Sequence, residues 1–405
     1  MSGKNIIKKN FLVITPNFFP ENFPINTFVD YLSINNKVTV VTSTPNYIKQ
    51  SAFTSIDFSK YFKYKKSNIN IIRIPTISRV YDNFFFVIFF YSSYFFTFLI
   101  FFIFYSLITK NKFDQVIVYS ISPVFSTFFG KIYSTISQVK IYVWVQDIWP
   151  EAIITSVTSK FKFIEKSIKK FQDFLWSNSE IITQSIKMKS FFEKKTLIKK
   201  INIIHNPPRF VKNIVYKNIK FKKNKILTFS YFGNIGKAQD LHKILEIICN
   251  LKINFKINIY GSGTELNRIK KKYKTSRIKF LLWQEENKLL KNFKSTDFFL
   301  LPLKTYKRQK YILPGKFSTY LNYAKPIIAL GNTDSALEYY VNRFKIGFFI
   351  DNKYSKKKKL ELISKFLNRN NNRYNLMCKN CFNCYNKFFS KESIIKQIEK
   401  TFNIS

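Results

Sequence analysis

The sequence predicts an α/β protein made of two tandem, doubly wound Rossmann-like domains that face each other across a cleft. Short apolar runs of strand length alternate with helix-length segments, which is typical of a parallel sheet covered on both faces. The alternation restarts after Pro207-Pro208 and the Lys/Asn-rich stretch Lys212–Lys225, which we interpret as a linker. A chain of 405 residues is also long enough for two ordinary domains.

We predict an N-terminal domain at 1–207 and a C-terminal domain at 208–405, with a final helix that packs back on the first domain. The predicted strands of the first domain are Phe11–Thr15, Val38–Thr42, Asn70–Ile74, Gln115–Tyr119, Ile141–Val145, Ile181–Gln184 and Ile201–His205. Those of the second domain are Ile226–Gly233, Asn254–Tyr260, Ile278–Leu281, Phe298–Pro302, Pro326–Leu330 and Gly347–Ile350. In such sheets ligands bind beyond the carboxyl ends of the strands, so we expect the site in the cleft.

One segment of the first domain is unusually apolar. Phe84–Ile108 contains 25 residues without a charge, which exceeds the ~20 residues that a membrane-spanning helix needs. The predicted strands on either side belong to one sheet, so a complete crossing would place them on opposite sides of the bilayer. The segment therefore lies in the membrane interface, re-enters as a hairpin or forms a core helix. Ser92-Ser93 would suit a break between two short helices, and the lack of a polar face favours membrane contact.

The charge of the chain is strongly positive, with a formal net charge of +45. This excess has two explanations: compositional drift in AT-rich coding, or an acidic partner such as anionic lipid, a phosphorylated substrate or nucleic acid. The basic stretches are scattered, and the aromatic residues concentrate in the apolar segment instead of alternating with basic residues. These patterns disfavour nucleic acid. An anionic membrane surface is the partner that we expect.

Three of the four cysteines form a C-x-x-C-x-x-C pattern at Cys378, Cys381 and Cys384. Such a pattern can hold zinc or an iron–sulfur cluster when a fourth ligand is present. No further ligand lies nearby in the sequence, and the two histidines, His205 and His242, are far away along the chain. We therefore predict no metal site.

Motifs in both halves of the chain resemble one known family. In the first half they are Phe19-Pro20-Glu21, Ile25-Asn26, Pro45-Asn46-Tyr47 and Trp144–Ala152 (WVQDIWPEA). In the second half they are Tyr231–Gln239 (YFGNIGKAQ), Pro314–Tyr320 (PGKFSTY) and Lys325-Pro326-Ile327. Together they resemble bacterial family 4 glycosyltransferases, especially the N-acetylfucosamine-transferase-like branch of surface-polysaccharide (O-antigen and capsule) biosynthesis. The resemblance spans nearly the whole chain in the family's order.

The resemblance implies the two-domain glycosyltransferase-B fold and a nucleotide-diphosphate sugar, UDP-linked, as co-substrate. It implies transfer of a sugar, such as an N-acetylated deoxyhexosamine, to a polyprenyl-diphosphate-linked glycan. Family members usually need neither metal nor another cofactor, and they normally retain the anomeric configuration. The same resemblance places the enzyme at the cytoplasmic face of the inner membrane, as a peripheral or monotopic protein.

For the donor, the resemblance directs attention to the C-terminal domain. Cleavage of the glycosyl bond leaves growing negative charge on the diphosphate, which backbone N–H groups and a cation can stabilise. We expect Lys316, which follows Pro314 and Gly315 at a predicted helix start, to supply that cation and to act in catalysis. The further donor-binding candidates are Gly233, Asn234, Gly236, Lys237, Gly261, Gly263, Pro314 and Gly315, although a tight turn would also explain Gly236.

For the acceptor, the candidates lie in the N-terminal domain. Asp147 follows a predicted strand, where it would orient or deprotonate the acceptor hydroxyl, or simply cap the next helix. The other acceptor-side candidates are Glu21, Asn26, Trp149 and Pro150.

The sequence departs from the family pattern at two places. Pro24 replaces the arginine of the family's helix start, and the acidic pair that many members carry falls at Tyr311 and Thr319. Neither of these two side chains is acidic. A catalytically degenerate member that acts as a scaffold therefore stays open as an alternative, as does, with less support, a basic nucleic-acid-binding protein.

Overall fold

The computed structural model describes residues 9–45, 68–77, 84–121, 124–148, 162–195, 197–208, 226–281, 286–304, 309–367 and 371–404. The chain divides into two compact units. Unit 1 comprises Met1–Pro207 together with Lys391–Ser405, and unit 2 comprises Pro208–Ser390. The last segment of the chain thus belongs to the same unit as its beginning.

Unit 1 is built around a parallel sheet. Its strands are β1 (Asn10–Ile14), β2 (Lys37–Ser43), β3 (Ile69–Ile74), β4 (Gln115–Ser120), β5 (Lys140–Val145), β6 (Glu180–Thr183) and β7 (Lys200–Ile203). Its described helices are α1 (Pro24–Leu32), α2 (Phe84–Ile108), α3 (Phe125–Ser137), α4 (Lys162–Trp176), α5 (Ile186–Phe192) and α13 (Lys391–Phe402). The strand order is β3-β2-β1-β4-β5-β6-β7, so the chain reverses its direction of travel between β1 and β4. The crevice at such a reversal is where doubly wound sheets bind ligands.

The elements of unit 1 form because their apolar residues are buried on the sheet. All six residues of β4 are buried, as expected of a central parallel strand. Helix α1 begins with Pro24 in its first turn and buries Ile25, Phe28, Val29 and Leu32, which lie on one face at helical spacing. Helix α13 closes the unit, because Phe402 packs edge-on against the rings of Phe11 and Tyr142.

Unit 2 repeats the same architecture. Its strands are β8 (Leu227–Phe232), β9 (Phe255–Tyr260), β10 (Ile278–Leu281), β11 (Phe298–Pro302), β12 (Ile327–Gly331) and β13 (Gly347–Asp351). Its described helices are α6 (Leu241–Cys249), α7 (Leu266–Lys272), α8 (Glu286–Lys294), α9 (Lys316–Asn322), α10 (Ala336–Arg343), α11 (Lys356–Leu367) and α12 (Asn371–Phe388). The order is β10-β9-β8-β11-β12-β13, all parallel, with the reversal between β8 and β11. Two parallel sheets with helical crossovers confirm the predicted fold class.

Helix α2 is the apolar segment, and it runs unbroken from Phe84 to Ile108. The helix has no break at Ser92-Ser93, although these serines would suit one. The Ser93 hydroxyl donates to the carbonyl of Phe90, and the Thr97 hydroxyl donates to the carbonyl of Ser93, so both side chains are satisfied within the helix. A serine in this arrangement does not expose backbone groups, and the helix continues.

The two faces of α2 differ in burial, although both are apolar. Residues spaced four apart (Phe90, Tyr94, Phe98 and Phe102) are buried, and the last three lie 5.5–5.8 Å, centroid to centroid, from the ring of Phe129 on α3. The opposite face is exposed at Ile88, Phe89, Phe96, Ile100, Ile103, Phe104, Leu107 and Ile108. The segment is therefore neither a hairpin nor a fully buried core helix. By length and composition, Ile88–Ile108 could also cross a membrane.

Candidate functional site

Two glycine-containing loops meet at the carboxyl edge of the second sheet. One follows β8 and the other follows β9, and they are joined by backbone hydrogen bonds from Gly233 N to Tyr260 O and from Ile235 N to Ser262 O, both 2.9 Å. A Cβ atom built on Gly261 would lie 2.0 Å from the carbonyl oxygen of Gly233. Gly261 also has φ +149°, a region that favours glycine. The glycine at this position is thus required by contact between the two loops.

Close contact with the β8 loop also requires glycine two residues further along the chain, at Gly263. A Cβ on Gly263, which has φ +155°, would lie 2.4 Å from the carbonyl oxygen of Ile235 and 2.6 Å from Oδ1 of Asn234. Gly261 and Gly263 therefore hold the β8 loop in place, and their role in donor binding stays a prediction. The β8 loop, from Gly233 to Gly236, is the part of the structure that they position.

Lys316 approaches this loop from α9. It is the first residue of the helix, directly after Pro314 and Gly315. Its Nζ atom lies 2.7 Å from the hydroxyl of Tyr231 and 3.9 Å from the centroid of the same ring. A Cβ on Gly233, which has φ +123°, would lie 3.1 Å from that Nζ atom, so a larger residue here would push the ammonium away slightly. The structure thus brings together Gly233 and Lys316, which are distant in sequence.

Tyr231 is a member of this site that sequence reasoning missed. Its hydroxyl donates to the carbonyl of Asn234 and accepts from Lys316, which is 85 positions away. Burial raises the pKa of the Tyr231 phenol well above its usual range, so it stays neutral and donates. The aromatic face also favours a cation. No local sequence signal identifies a strand tyrosine as the partner of a lysine on a later helix.

The electrostatics of Lys316 are unusual for a lysine. Burial lowers its pKa from 10.5 to about 7, because the charged form loses hydration. A bound anion would favour the charged form again and raise that pKa. The group is therefore suited to receive negative charge.

A cavity of 340 Å³ lies beside the same loops and is lined by charged groups. Its lining comprises Gly236, Lys237, Asp240, Leu241, His242, Glu265, Arg268, Ile269 and Lys304. Asp240 pairs with Lys243 at 2.7 Å, and Glu265 pairs with Arg268. The predicted donor residues Gly236 and Lys237 therefore line this cavity, whereas Gly233 and Lys316 are not part of its lining.

In unit 1, Glu21 lies in the loop that follows β1, and Asn26 lies directly after that loop, in the first turn of α1. Glu21 is buried, and its Oε2 atom accepts from Nδ2 of Asn17 at 2.9 Å. Asn26 donates from Nδ2 to the carbonyl of Glu21 at 2.7 Å, which closes the turn into α1. Within the described part of the chain, Oδ1 of Asn26 is buried without a hydrogen-bond partner. This loop lies at the β1/β4 reversal, where a ligand is expected.

Asp147 lies two residues beyond β5 and is partly buried. Burial and the charge of Asp147 together raise the pKa of the Tyr119 phenol, so the carboxylate lies near that ring. Trp149, Pro150 and the Asn46-Tyr47 part of an N-terminal motif lie outside the described residues. The choice between a catalytic and a capping role for Asp147 stays open.

Solved structures with this architecture are found among glycosyltransferases. No family model matches the sequence, and no curated protein matches it. Sucrose-phosphate synthase from Thermosynechococcus elongatus superimposes with a TM-score of 0.70 at 11% identity, covering 98% of this chain and 98% of that chain. HepE from Anabaena, in complex with UDP and glucose, gives 0.66 at 11% identity, covering 98% and 99%. WaaG, a glycosyltransferase of lipopolysaccharide biosynthesis, gives 0.63 at 10% identity, covering 98% and 99%.

The chain has the glycosyltransferase-B fold. Structural similarity at 10–11% sequence identity establishes the fold alone and does not establish the reaction. In this glycosyltransferase-B fold each sheet has one reversal, between β1 and β4 and between β8 and β11. Glu21 follows β1, while Gly233 and Lys316 lie at the loops after β8 and β11.

The three cysteines of the C-x-x-C-x-x-C pattern lie on α12. Cys378, Cys381 and Cys384 are all buried, and the Cys381 thiol donates to the carbonyls of Lys325 and Ile346. Burial raises the pKa of Cys378 to about 11 and that of Cys384 to about 12. Metals bind the thiolate form, which this environment disfavours. Within the described ranges, no cluster of three or more His, Cys, Asp or Glu residues could hold a metal ion.

Proposed function

We propose that this protein is a glycosyltransferase that moves a sugar from a UDP-linked donor to a polyprenyl-diphosphate-linked glycan in cell-surface polysaccharide assembly. The observation that carries the proposal is the Lys316 ammonium, held against Gly233 by Tyr231 at the carboxyl edge of the second sheet. The fold and the motif resemblance agree with it, and HepE, which shares the fold, binds UDP and glucose.

The proposed chemistry depends on charge at the leaving diphosphate. As the glycosyl bond breaks, negative charge grows on the phosphate oxygen, and Lys316 is positioned to neutralise it. The N–H groups of Gly233 and Ile235 already bond to the β9 loop, so the charge of Lys316 carries the proposed stabilisation. Because a lysine supplies the positive charge, we propose a metal-independent reaction. Retention of anomeric configuration follows from the family resemblance and belongs to the same proposal.

On the acceptor side, we assign Asp147 to orient or deprotonate the attacking hydroxyl. Glu21 and Asn26 support this assignment by their place after β1, and Trp149 and Pro150 are proposed to wall the pocket. The acidic pair of the broader family has no counterpart here, because the corresponding residues are Tyr311 and Thr319. Tyr311 lies in a 3₁₀ turn, and Thr319 is buried on α9.

The exposed face of α2 supports a membrane location. Phe96, Phe104 and Leu107 are 61%, 62% and 61% exposed, and burying each in lipid would contribute about 1.5–3 kcal/mol. Lys110 and Lys112 are exposed at the end of the helix and would each add about 1 kcal/mol against anionic lipid.

The sheet limits the ways in which α2 could meet a membrane. Strands β3 and β4, before and after α2, belong to one parallel sheet, so a crossing helix would separate them. We therefore propose that α2 lies in the interface with its outer face in lipid, at the cytoplasmic side of the inner membrane. Apolar burial is not screened by salt, whereas lysine attraction is. The protein should consequently stay on phosphatidylglycerol-containing vesicles in 1 M salt, and release by salt alone would contradict this anchor.

The enzymatic proposal is tested by ligand binding and turnover. Thermal unfolding of the purified protein with UDP-glucose, UDP-galactose and UDP-N-acetylglucosamine should show a higher midpoint for at least one of them, since a bound ligand stabilises the folded state. Slow hydrolysis of the same nucleotide sugar should follow. Binding without hydrolysis or transfer would favour the scaffold alternative, and no binding of any nucleotide sugar would contradict the enzymatic proposal.

A further inference from the structure

Three amide side chains meet at the carboxyl edge of the first sheet. Gln146 follows β5 directly, Gln184 follows β6 directly, and Asn206 lies three residues beyond β7. Strands β5, β6 and β7 are neighbours in the sheet, so their carboxyl ends lie side by side. We call these three residues the amide cluster. Gln146 belongs to one motif of the family resemblance, WVQDIWPEA, whereas Gln184 and Asn206 belong to none of those motifs.

Hydrogen bonds determine how each amide of the cluster is oriented. Nε2 of Gln184 donates to the carbonyl of Gln146 at 3.0 Å, so its Oε1 atom must face the other way and accept. Nδ2 of Asn206 donates to that Oε1 at 3.1 Å and to Oε1 of Gln146 at 2.8 Å. The orientation of Gln184 therefore dictates the orientation of the other two side chains.

This arrangement leaves one donor and one acceptor unused. Among the described residues, Nε2 of Gln146 and Oδ1 of Asn206 are buried without a hydrogen-bond partner. Gln146 is only 6% exposed, so water does not freely replace the missing bond. Buried polar atoms without partners are rare in folded proteins, because they give up hydration without compensation.

We propose that the amide cluster binds a hydroxyl group of the acceptor sugar. A hydroxyl can accept from Nε2 of Gln146 and donate to Oδ1 of Asn206, so one group would complete both amides. The cluster is neutral, which suits a neutral sugar better than a phosphate. Asp147, the candidate for activating the acceptor hydroxyl, is the next residue after Gln146. This inference rests on the proposed glycosyltransferase function and names the part of unit 1 that would contact the acceptor.

Two substitutions of Gln146 separate its two roles. Gln146→Glu keeps an oxygen to accept from Asn206, but it replaces the unused NH₂ group with an oxygen and adds a negative charge beside Asp147. Gln146→Met keeps the size of the side chain and removes both polar atoms. Gln115→Met is the matched control, since Gln115 is a buried glutamine of the same sheet but lies at the first residue of β4, on the opposite edge. Thermal unfolding shows whether each variant folds.

The probes are octyl β-glycosides of glucose, galactose and N-acetylglucosamine, used with the nucleotide sugar that gives the largest thermal shift. We expect both Gln146 variants to raise the KM for the preferred glycoside by about tenfold, as loss of one hydrogen bond to substrate does. The KM for the nucleotide sugar and its hydrolysis without a glycoside should stay unchanged, and Gln115→Met should behave as the wild type. Saturation-transfer NMR should show weaker glycoside binding in the same two variants.

Each contrary outcome has a distinct meaning. If the wild type neither binds nor hydrolyses any nucleotide sugar, the proposed function fails. If it turns over the donor but the Gln146 variants bind glycosides as the wild type does, or no glycoside binds at all, the acceptor subsite is overturned. If the KM for the nucleotide sugar rises instead, the cluster contacts the transferred sugar, and the assignment to the acceptor is wrong.

Discussion

Donor affinity should depend on pH through Lys316. The ammonium must be charged to bind a diphosphate, but burial lowers the pKa of this lysine to about 7 in the ligand-free protein. Below pH 7 the lysine is charged before the donor arrives, and affinity is maximal. Above pH 7 the lysine must first take up a proton, so the Kd rises as pH rises. With a pKa of about 7, the Kd at pH 8 should be about tenfold higher than at pH 6.

The assay is titration calorimetry with UDP-glucose, or with another nucleotide sugar that binds more tightly. A nucleotide sugar is preferred to UDP because its doubly esterified diphosphate does not titrate in this range. Runs at pH 8 in two buffers of different ionisation enthalpy should show nearly one proton taken up per donor bound. The Lys316→Arg variant stays charged at every accessible pH, so any binding that it retains should be independent of pH. A flat Kd between pH 6 and pH 8 in the wild-type protein would refute this account of Lys316.

Three further outcomes are expected. Lys316→Ala should lower turnover by at least ~10²-fold while the protein stays folded, because one charge-stabilising donor is removed; near wild-type turnover would exclude this residue from the site. The double change Phe96→Lys and Phe104→Lys should release the protein from anionic vesicles, whereas Leu376→Lys, at a leucine 53% exposed on α12, should not; flotation assays on all three proteins decide this. Acid should destabilise the fold through His205. Burial lowers the pKa of this histidine from 6.5 to about 4. The stability that the neutral side chain contributes is therefore complete above pH 6.5 and is lost as pH falls towards 4. The free energy of unfolding should fall by about 3 kcal/mol over this pH range. Urea unfolding should show a smaller fall for His205→Gln than for the wild type. An equal fall in both proteins would contradict the role given to His205.

Local sequence pattern determined the fold class, the strands and the division into two sheets. A parallel strand covered on both faces needs a continuous apolar run, as in β4 and β11, and that requirement is visible without knowledge of the partner strand. The Lys316 position was also visible, because Pro314 and Gly315 mark a helix start. Its predicted role and those of the other site residues, including Asp147, stay predictions.

Only the tertiary structure decided which groups meet. Tyr231 and Lys316 lie 85 positions apart, and the amide cluster joins residues 146, 184 and 206, so neither follows from spacing along the chain. Helix α2 is apolar on both faces, and packing against Phe129 of α3, not a sequence pattern, selects the face that is buried. A Cβ on Gly261 would meet the backbone of Gly233, a contact that the sequence does not reveal, and the role of Gly261 in donor binding stays a prediction. In each case the deciding contact lies between segments that are distant in sequence, and a periodicity read along one segment carries no information about its partner.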